Sequence, residues 1–219
     1  MATRPIFLPT NSGDQLFDTQ TFSFSWNPGF AESQKRKNIH ELHRAAGNAG
    51  LGKVLEISTK SEDEIGRRLS AFNLKYRLEE KTIPLECIYQ GSKVFADAGP
   101  FDDLFNLTAR ECKADPRLRS SGEIVYFLLE GDRYDSKPAN AFYDWIYIRC
   151  LNQHEDFLRR RLSEYEGFSD IEFNPERSIN CQARALAVLI SLSARGKLQL
   201  AAGNFQYFRE VMAKTFSSL

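Results

Sequence analysis

The chain has 219 residues, 42% hydrophobic and 26% charged, the make-up of a polypeptide that folds around its own core. At this length roughly 70% of the unfolded chain's surface can be buried, so neither a disulfide nor a metal staple is needed. Lys plus Arg and Asp plus Glu number 29 each, and a net charge of zero argues against the broad phosphate grip of a protein that coats nucleic acid. A pocket that reads one modified nucleotide remains open.

From the N-terminus, Pro5, Pro9, Gly13, Pro28 and Gly29 and the alternation Phe22-Ser23-Phe24-Ser25-Trp26 predict an extended, strand-like entry. From Ala31 to Ala49, Ile39, Leu42, Ala45, Ala46 and Ala49 recur at helical spacing, and Gly50 ends the helix. Val54 to Ser58 alternates like a short strand, and Glu62 to Leu69 is a charged helical turn. Pro84 to Phe95 opens with a proline suited to a first helical turn and is predicted as a helix. Gly99-Pro100 makes Ala98 to Leu104 a loop. Leu104 to Lys113 and Glu123 to Glu130 are predicted helices on either side of Asp115-Pro116. Pro138 to Tyr165 is the longest periodic region, with Phe142, Trp145, Ile146, Leu151, Phe157, Leu158 and Leu162 facing inward. Ser178 to Arg195 is a helix with a serine near its N-cap and Gly196 at its exit, and Asn204 to Phe216 is a final amphipathic helix. No tandem repeat or linker interrupts this order. The expectation is a single helix-rich α+β domain over 1–219 with a few short strands.

No apolar run reaches the roughly 18 residues of a membrane-spanning helix, and the N-terminus lacks a signal-peptide stretch. A cytoplasmic protein with no membrane partner is expected. Cys87, Cys112, Cys150 and Cys181 are scattered without metal-ligand spacing, so free thiols are expected and no metal site or cofactor is implied.

The most informative stretch is Leu69 to Phe95. On a helix over Pro84 to Phe95, Glu86, Gln90 and Lys93 fall on one narrow stripe, while Leu85, Ile88, Tyr89, Ser92 and Phe95 fall on another that packs. The polar stripe is either a solvated face or a carboxylate and an amine aimed into one cleft, as acid/base or nucleophilic chemistry requires. Elsewhere the choices are similar. Trp145 is a core ring with Asp144 at its edge, or a stacking platform with an acid beside it. Trp26 and Phe173 share that ambiguity. Asp170 and Glu172 lie in a loop, where carboxylates are solvated or functional. Asn180 and Gln182 are ligands or caps. Arg159-Arg160-Arg161 is a solvated helix face or a phosphate contact, and His40 and His43 are surface or core residues. Cys87 points away from the stripe.

Leu69-Ser70-Ala71-Phe72-Asn73 and Pro84-Leu85-Glu86-Cys87-Ile88-Tyr89-Gln90-Gly91-Ser92-Lys93 resemble the signature of the NADAR family. That family typically reads leucine-serine-asparagine-phenylalanine, then proline-serine-valine-glutamate-histidine and glutamine-alanine-x-lysine. Ser70, Phe72, Glu86, Gln90 and Lys93 are kept; Asn73 arrives two residues late, and Cys87 stands in place of the histidine. The blocks Phe24 to Gly29, Ser33-Gln34-Lys35, Ala141 to Trp145, Asp170 to Pro175 and Ser178 to Gln182 extend the resemblance over about residues 22 to 190. Together they resemble the NADAR antitoxins paired with DarT-type DNA ADP-ribosyltransferase toxins.

The resemblance implies a NADAR-type fold, with residues 1–60 a subgroup-specific extension packed on a 61–200 catalytic core. It implies a hydrolase that removes ADP-ribose from the guanine amino group of ADP-ribosylated DNA, releasing free ADP-ribose, in functional pairing with a DarT-type toxin. Glu86 and Lys93 would be catalytic, Glu86 as acid/base or cation stabiliser and Lys93 as a charge or as an amine that traps the opened sugar. Ser70, Phe72, Asn73, Gln90, Asp144, Trp145, Asp170, Asn180 and Arg184 would bind substrate. The diphosphate would sit on Arg184 and on backbone donors at Ser178 to Asn180, where the helix is expected to begin. Two other readings stand beside this one: an N-glycosidase acting on a free nucleotide intermediate, and an antitoxin that binds and occludes its toxin.

Overall fold

Strand β1 (Ala2–Pro9) pairs antiparallel with β2 (Phe17–Phe24) from Ala2 opposite Phe24 to Pro9 opposite Phe17, so the entry is a long hairpin. The computed structural model describes residues 1–217. The hairpin's inner edge continues into β9 (Gly167–Ser169), which pairs in parallel with β3 (Val54–Glu56), giving the order β2-β1-β9-β3. Helix α1 (Glu32–Asn48) covers this sheet with Ile39, Leu42 and Ala46, closing a small core with Ile6, Phe24, Leu51 and Ile171. It ends, as its spacing predicts, before Gly50, whose φ of +90° only glycine adopts without strain.

Asp63 caps the short α2 (Glu64–Arg68) by accepting from the Ile65 amide. A small hairpin follows, β4 (Lys75–Leu78) with β5 (Lys81–Pro84), and it delivers the chain into α3 (Leu85–Gly91). Here the structure differs from the expected helix over Pro84 to Phe95. An added Cβ at Gly91 would collide with the Phe105 ring, and the Gly91 carbonyl accepts from the Phe101 amide. The chain then leaves the helix as β6 (Lys93–Phe95), whose Val94 and Phe95 suit a strand.

The partner of β6 is β7 (Ile124–Leu129), which turns into β8 (Asp132–Asp135) through Glu130 and Gly131, both at positive φ. The helix expected over Glu123 to Glu130 is therefore a strand. Its Ile-Val-Tyr-Phe run has the β-branched and aromatic make-up of one. The helix expected from Leu104 to Lys113 is broken into a 3-10 turn (Asp102–Asn106) and α4 (Ala109–Ala114), because Thr108 and Glu111 form a capping box that starts a new helix. After the four-residue α5 (Arg117–Ser120), the long region from Pro138 to Tyr165 is split at Gln153 and His154 into α6 (Ala141–Asn152) and α7 (Glu155–Leu162). Phe157, expected inside, is 50% exposed on α7.

The main core lies around α6 and α8 (Gln182–Ala194), both apolar nearly all round, which is the pattern of a helix enclosed by its neighbours. Helix α8 starts four residues later than expected. Ser178 caps nothing, and its hydroxyl donates to the Asn180 carbonyl in the preceding loop. The short α9 (Leu198–Gly203) and α10 (Phe205–Ser217) close the far side of the core. The protein is a single α+β domain with short strands. None of the described helices is long and apolar enough to cross a membrane.

Candidate active site

Helix α3 places Glu86 and Gln90 one turn apart, and the break after Gly91 brings Lys93 back to them from the start of β6. Gln90 Nε2 donates to Glu86 Oε1 at 2.7 Å, and Lys93 Nζ donates to Gln90 Oε1 at 2.6 Å. One amide therefore joins the carboxylate to the amine, donating to the first and accepting from the second. Glu86 is 5% exposed and Gln90 7%, so the stripe is an enclosed wall and not a solvated face. Burial pushes the Lys93 amine down to about 8; the Glu86 charge opposes this and the Lys113 charge adds to it. The Lys93 ammonium stands 4.4 Å from the centre of the Tyr89 ring. An amine so placed is neutral in a useful fraction near neutral pH, as a nucleophile must be.

The three residues line a cavity of about 570 Å³, within the roughly 300–1,000 Å³ typical of ligand sites. Its other walls come from the loops after β3, α2 and β9 and from α4 and α6. Gln182, at the first turn of α8, accepts from the Ala71 amide at 2.8 Å and fixes the loop that carries Ser70 and Phe72. Asn180 Nδ2 donates to the Tyr89 hydroxyl at 2.7 Å, while its Oδ1, though buried, has no partner. Burial pushes the Tyr89 phenol up to about 12 and holds the Tyr143 phenol well above its usual range. The Glu86 charge raises both, and Asp170 also raises Tyr143. Lys60, Arg110 and Lys113 stand around the same space, and Lys113 lies 5.1 Å from the centre of the Phe72 ring.

Of the residues expected at the site, Glu86, Lys93, Ser70, Phe72, Gln90, Asp170 and Asn180 line this cavity together. Four do not. Asn73 turns outward and donates to the Arg67 carbonyl. Asp144 is fully buried and takes the Arg184 guanidinium on both oxygens, with Asn140 as a further donor. Arg184 is thereby neutralised, and it borders a second cavity behind Phe173. Trp145 is a core residue, its indole N–H donating to the Ala201 carbonyl between Tyr134 and Phe205. With α8 beginning at Gln182, Ser178 to Asn180 offer no helix N-terminus.

The remaining candidates fall outside the chemistry. Trp26 packs between Arg4 and Lys35 on the sheet side, whereas Phe173 does line the cavity. His40 pairs with Glu62 on the surface, and His43 is partly buried against Ser169. Arg159, Arg160 and Arg161 lie exposed along α7. Cys87 points away from the stripe, but it is not free. It bonds Cys112, with Cα atoms 5.5 Å apart, and ties α3 to α4. Cys150 and Cys181 are free and buried. Among the described residues no cluster of His, Cys, Asp or Glu is placed to hold a metal ion.

Tyr89, Tyr143, Arg110 and Lys113 line the cavity without a sequence motif that marks them. Helical spacing puts Tyr89 on the packing stripe, and a phenol on such a stripe is itself a sign that one edge meets a polar space. Tyr143 sits one position from Asp144 in the Ala141 to Trp145 block and faces the cavity in its place. Arg110 and Lys113, on α4, carry no local signal, because only the fold brings that helix against α3.

The family model of the DarT1-associated NADAR antitoxin matches residues 2–218. A comparison with curated proteins finds no match.

Proposed function

Because the chain belongs to the DarT1-associated NADAR antitoxin family, we propose that it reverses the toxin's work by cleaving the N-glycosidic bond between ADP-ribose and the guanine amino group in DNA. The observation that carries this reading is the buried Glu86–Gln90–Lys93 chain, with an amine poised near neutrality on the wall of a nucleotide-sized cavity.

Cleavage needs the guanine nitrogen protonated as it leaves and the cationic anomeric carbon stabilised or captured. Neutral Lys93 adds to that carbon as the carbon–nitrogen bond breaks, the electron pair passing to guanine. Glu86 stabilises the positive charge that develops on the sugar. The glycosylamine so formed opens its ring to a Schiff base, the ring oxygen taking a proton from the Lys93 nitrogen. Water then adds at the imine carbon, Lys93 leaves as the amine, and the freed sugar closes as ADP-ribose, so one water is consumed per turnover. Gln90 holds the carboxylate and the amine in register throughout. The diphosphate, deprived of Arg184 by Asp144, falls to Arg110, Lys113 and Lys60. Phe72 and Phe173 offer faces for the bases.

The test is to incubate the purified chain with an oligonucleotide carrying ADP-ribosylguanine and to measure free ADP-ribose. The proposal expects stoichiometric release and restored guanine. An antitoxin that only occludes its toxin would leave the modified DNA intact while co-purifying with the toxin.

A further inference from the structure

A second buried carboxyl stands in the cavity wall. Asp170, 7% exposed, lies just after β9, and directly behind it is Glu56, opposite Ser169 in the parallel β3–β9 register. Glu56 grips both neighbours of Asp170: Ser169 Oγ donates to Oε2 at 2.6 Å, and the Ile171 amide donates to Oε1 at 2.9 Å. His43 Nε2 lies 2.8 Å from the same Ser169 Oγ. That hydroxyl gives its own proton to Glu56, so the imidazole is the donor in the outer bond, carrying its hydrogen on Nε2. The chain His43, Ser169, Glu56 thus runs from α1 to the turn that aims Asp170 into the cavity.

Resting on the glycosidase reading above, we propose that Asp170 is the proton donor to the leaving guanine nitrogen, and that Glu56 is a positioning residue that aims Asp170 and keeps the proton on it. The bond between the anomeric carbon and the guanine nitrogen breaks with its electron pair passing to nitrogen. The Asp170 proton goes to that nitrogen, leaving an Asp170 carboxylate. The water that later enters at the anomeric carbon returns a proton to Asp170, so the cycle closes with one water consumed.

The distribution of donors decides which carboxyl holds the proton. Glu56 accepts from Ser169 and Ile171, and Ser58 is a further side-chain donor, all favouring its charged form. Asp170 has the Glu172 amide at 3.0 Å and the Gln182 side chain. Burial raises both carboxyls, and the Glu56 charge raises Asp170 further. The groups around Asp170 do little to oppose this. Glu172 adds to the rise, and Tyr143, Tyr147 and Cys181 are all held neutral by burial. His43 is held down to about 4 by burial and by His40, so it brings no positive charge. Arg4, from β1, is the cation whose field reaches Asp170.

The test is the pH–rate profile of ADP-ribose release for the wild-type, Glu56→Gln and Asp170→Asn chains on guanine-modified DNA. Asp170 must be protonated to act, so activity falls as pH rises through its titration. Without the Glu56 charge Asp170 titrates lower; because the active form needs Asp170 protonated and Lys93 neutral, the pH optimum of E56Q moves down by about half a pH unit or more and its maximum rate falls. Asp170→Asn loses on the order of 100-fold in rate with substrate affinity kept. An E56Q chain that slows without moving its pH optimum, or a D170N chain at wild-type rate, overturns the proposal. Should E56Q fail to fold, a carboxyl-carbon NMR titration of the wild type, assigned with D170N, decides instead: Asp170 must titrate above the ordinary carboxylate range. A wild-type chain that releases nothing at any pH sinks the glycosidase reading itself and takes this proposal with it.

Discussion

Lys93 reaches back across the end of α3 to give its Nζ hydrogen to Gln90 Oε1 at 2.6 Å, so an amine on a strand completes a chain begun on a helix. Burial of the amine at this place makes Lys93 titrate in the range where a nucleophile is useful. Activity that needs the neutral amine rises as pH passes through about 8. Lys113 is one of the causes that depress it, so Lys113→Ala moves the pH optimum to higher pH, because one repelling charge is gone. A pH–rate profile with an unmoved optimum in that variant would separate the pH dependence from Lys93.

A covalent role for the amine has its own signature. Borohydride added during turnover reduces the Schiff base between Lys93 and the opened ribose, and adds an ADP-ribose mass to the peptide that contains Lys93. Peptide mass spectrometry reads this directly. Efficient reduction without an adduct would favour direct water attack at the same site.

On the proposed reading the affinity comes from the pocket, since a net charge of zero leaves no basic excess to hold a DNA backbone. With the diphosphate as the main anion held, log affinity against log salt has a slope of roughly −2 or shallower. Arg110→Ala weakens binding several-fold and leaves the rate at saturation nearly unchanged, since the loss falls on ground state and transition state alike. A steep slope, near that of a protein neutralising about six or more phosphates, would mean the DNA backbone is gripped directly.

Asp144 and Arg184 make a buried ion pair, 0% and 8% exposed at their side chains. Removing one partner strands the other charge, and Arg184→Ala costs about 3–5 kcal/mol of stability, measured by urea unfolding. Retained stability with weakened ADP-ribose binding would instead return Arg184 to the role the family resemblance implies.

These residues show how much of the site is legible in the sequence. Glu86 and Gln90 are readable because helical spacing alone puts them on one face. Lys93 joins them for a different reason from the one its spacing suggests: the close packing of Gly91 against Phe105 ends the helix, and β6 turns the amine back. Asp144 and Arg184 are 40 residues apart and satisfy each other, a pairing that local pattern does not contain. The same holds for β7, whose Ile-Val-Tyr-Phe run needs β6 and β8 as partners before its strand character counts. The helices α1, α8 and α10 are readable because each carries an apolar pattern long enough to outweigh its ends. The Cys87–Cys112 bond is not readable, since 25 residues of separation and a turn of fold bring the two together.

The role proposed for the Glu86–Gln90–Lys93 chain is to break the bond between ADP-ribose and guanine. It is tested most directly by single-turnover release of ADP-ribose from a guanine-modified oligonucleotide by the wild-type, Glu86→Gln and Lys93→Ala chains, each checked for wild-type folding. The wild type releases ADP-ribose and each variant loses on the order of 100-fold or more; release at the wild-type rate by both variants would contradict this role.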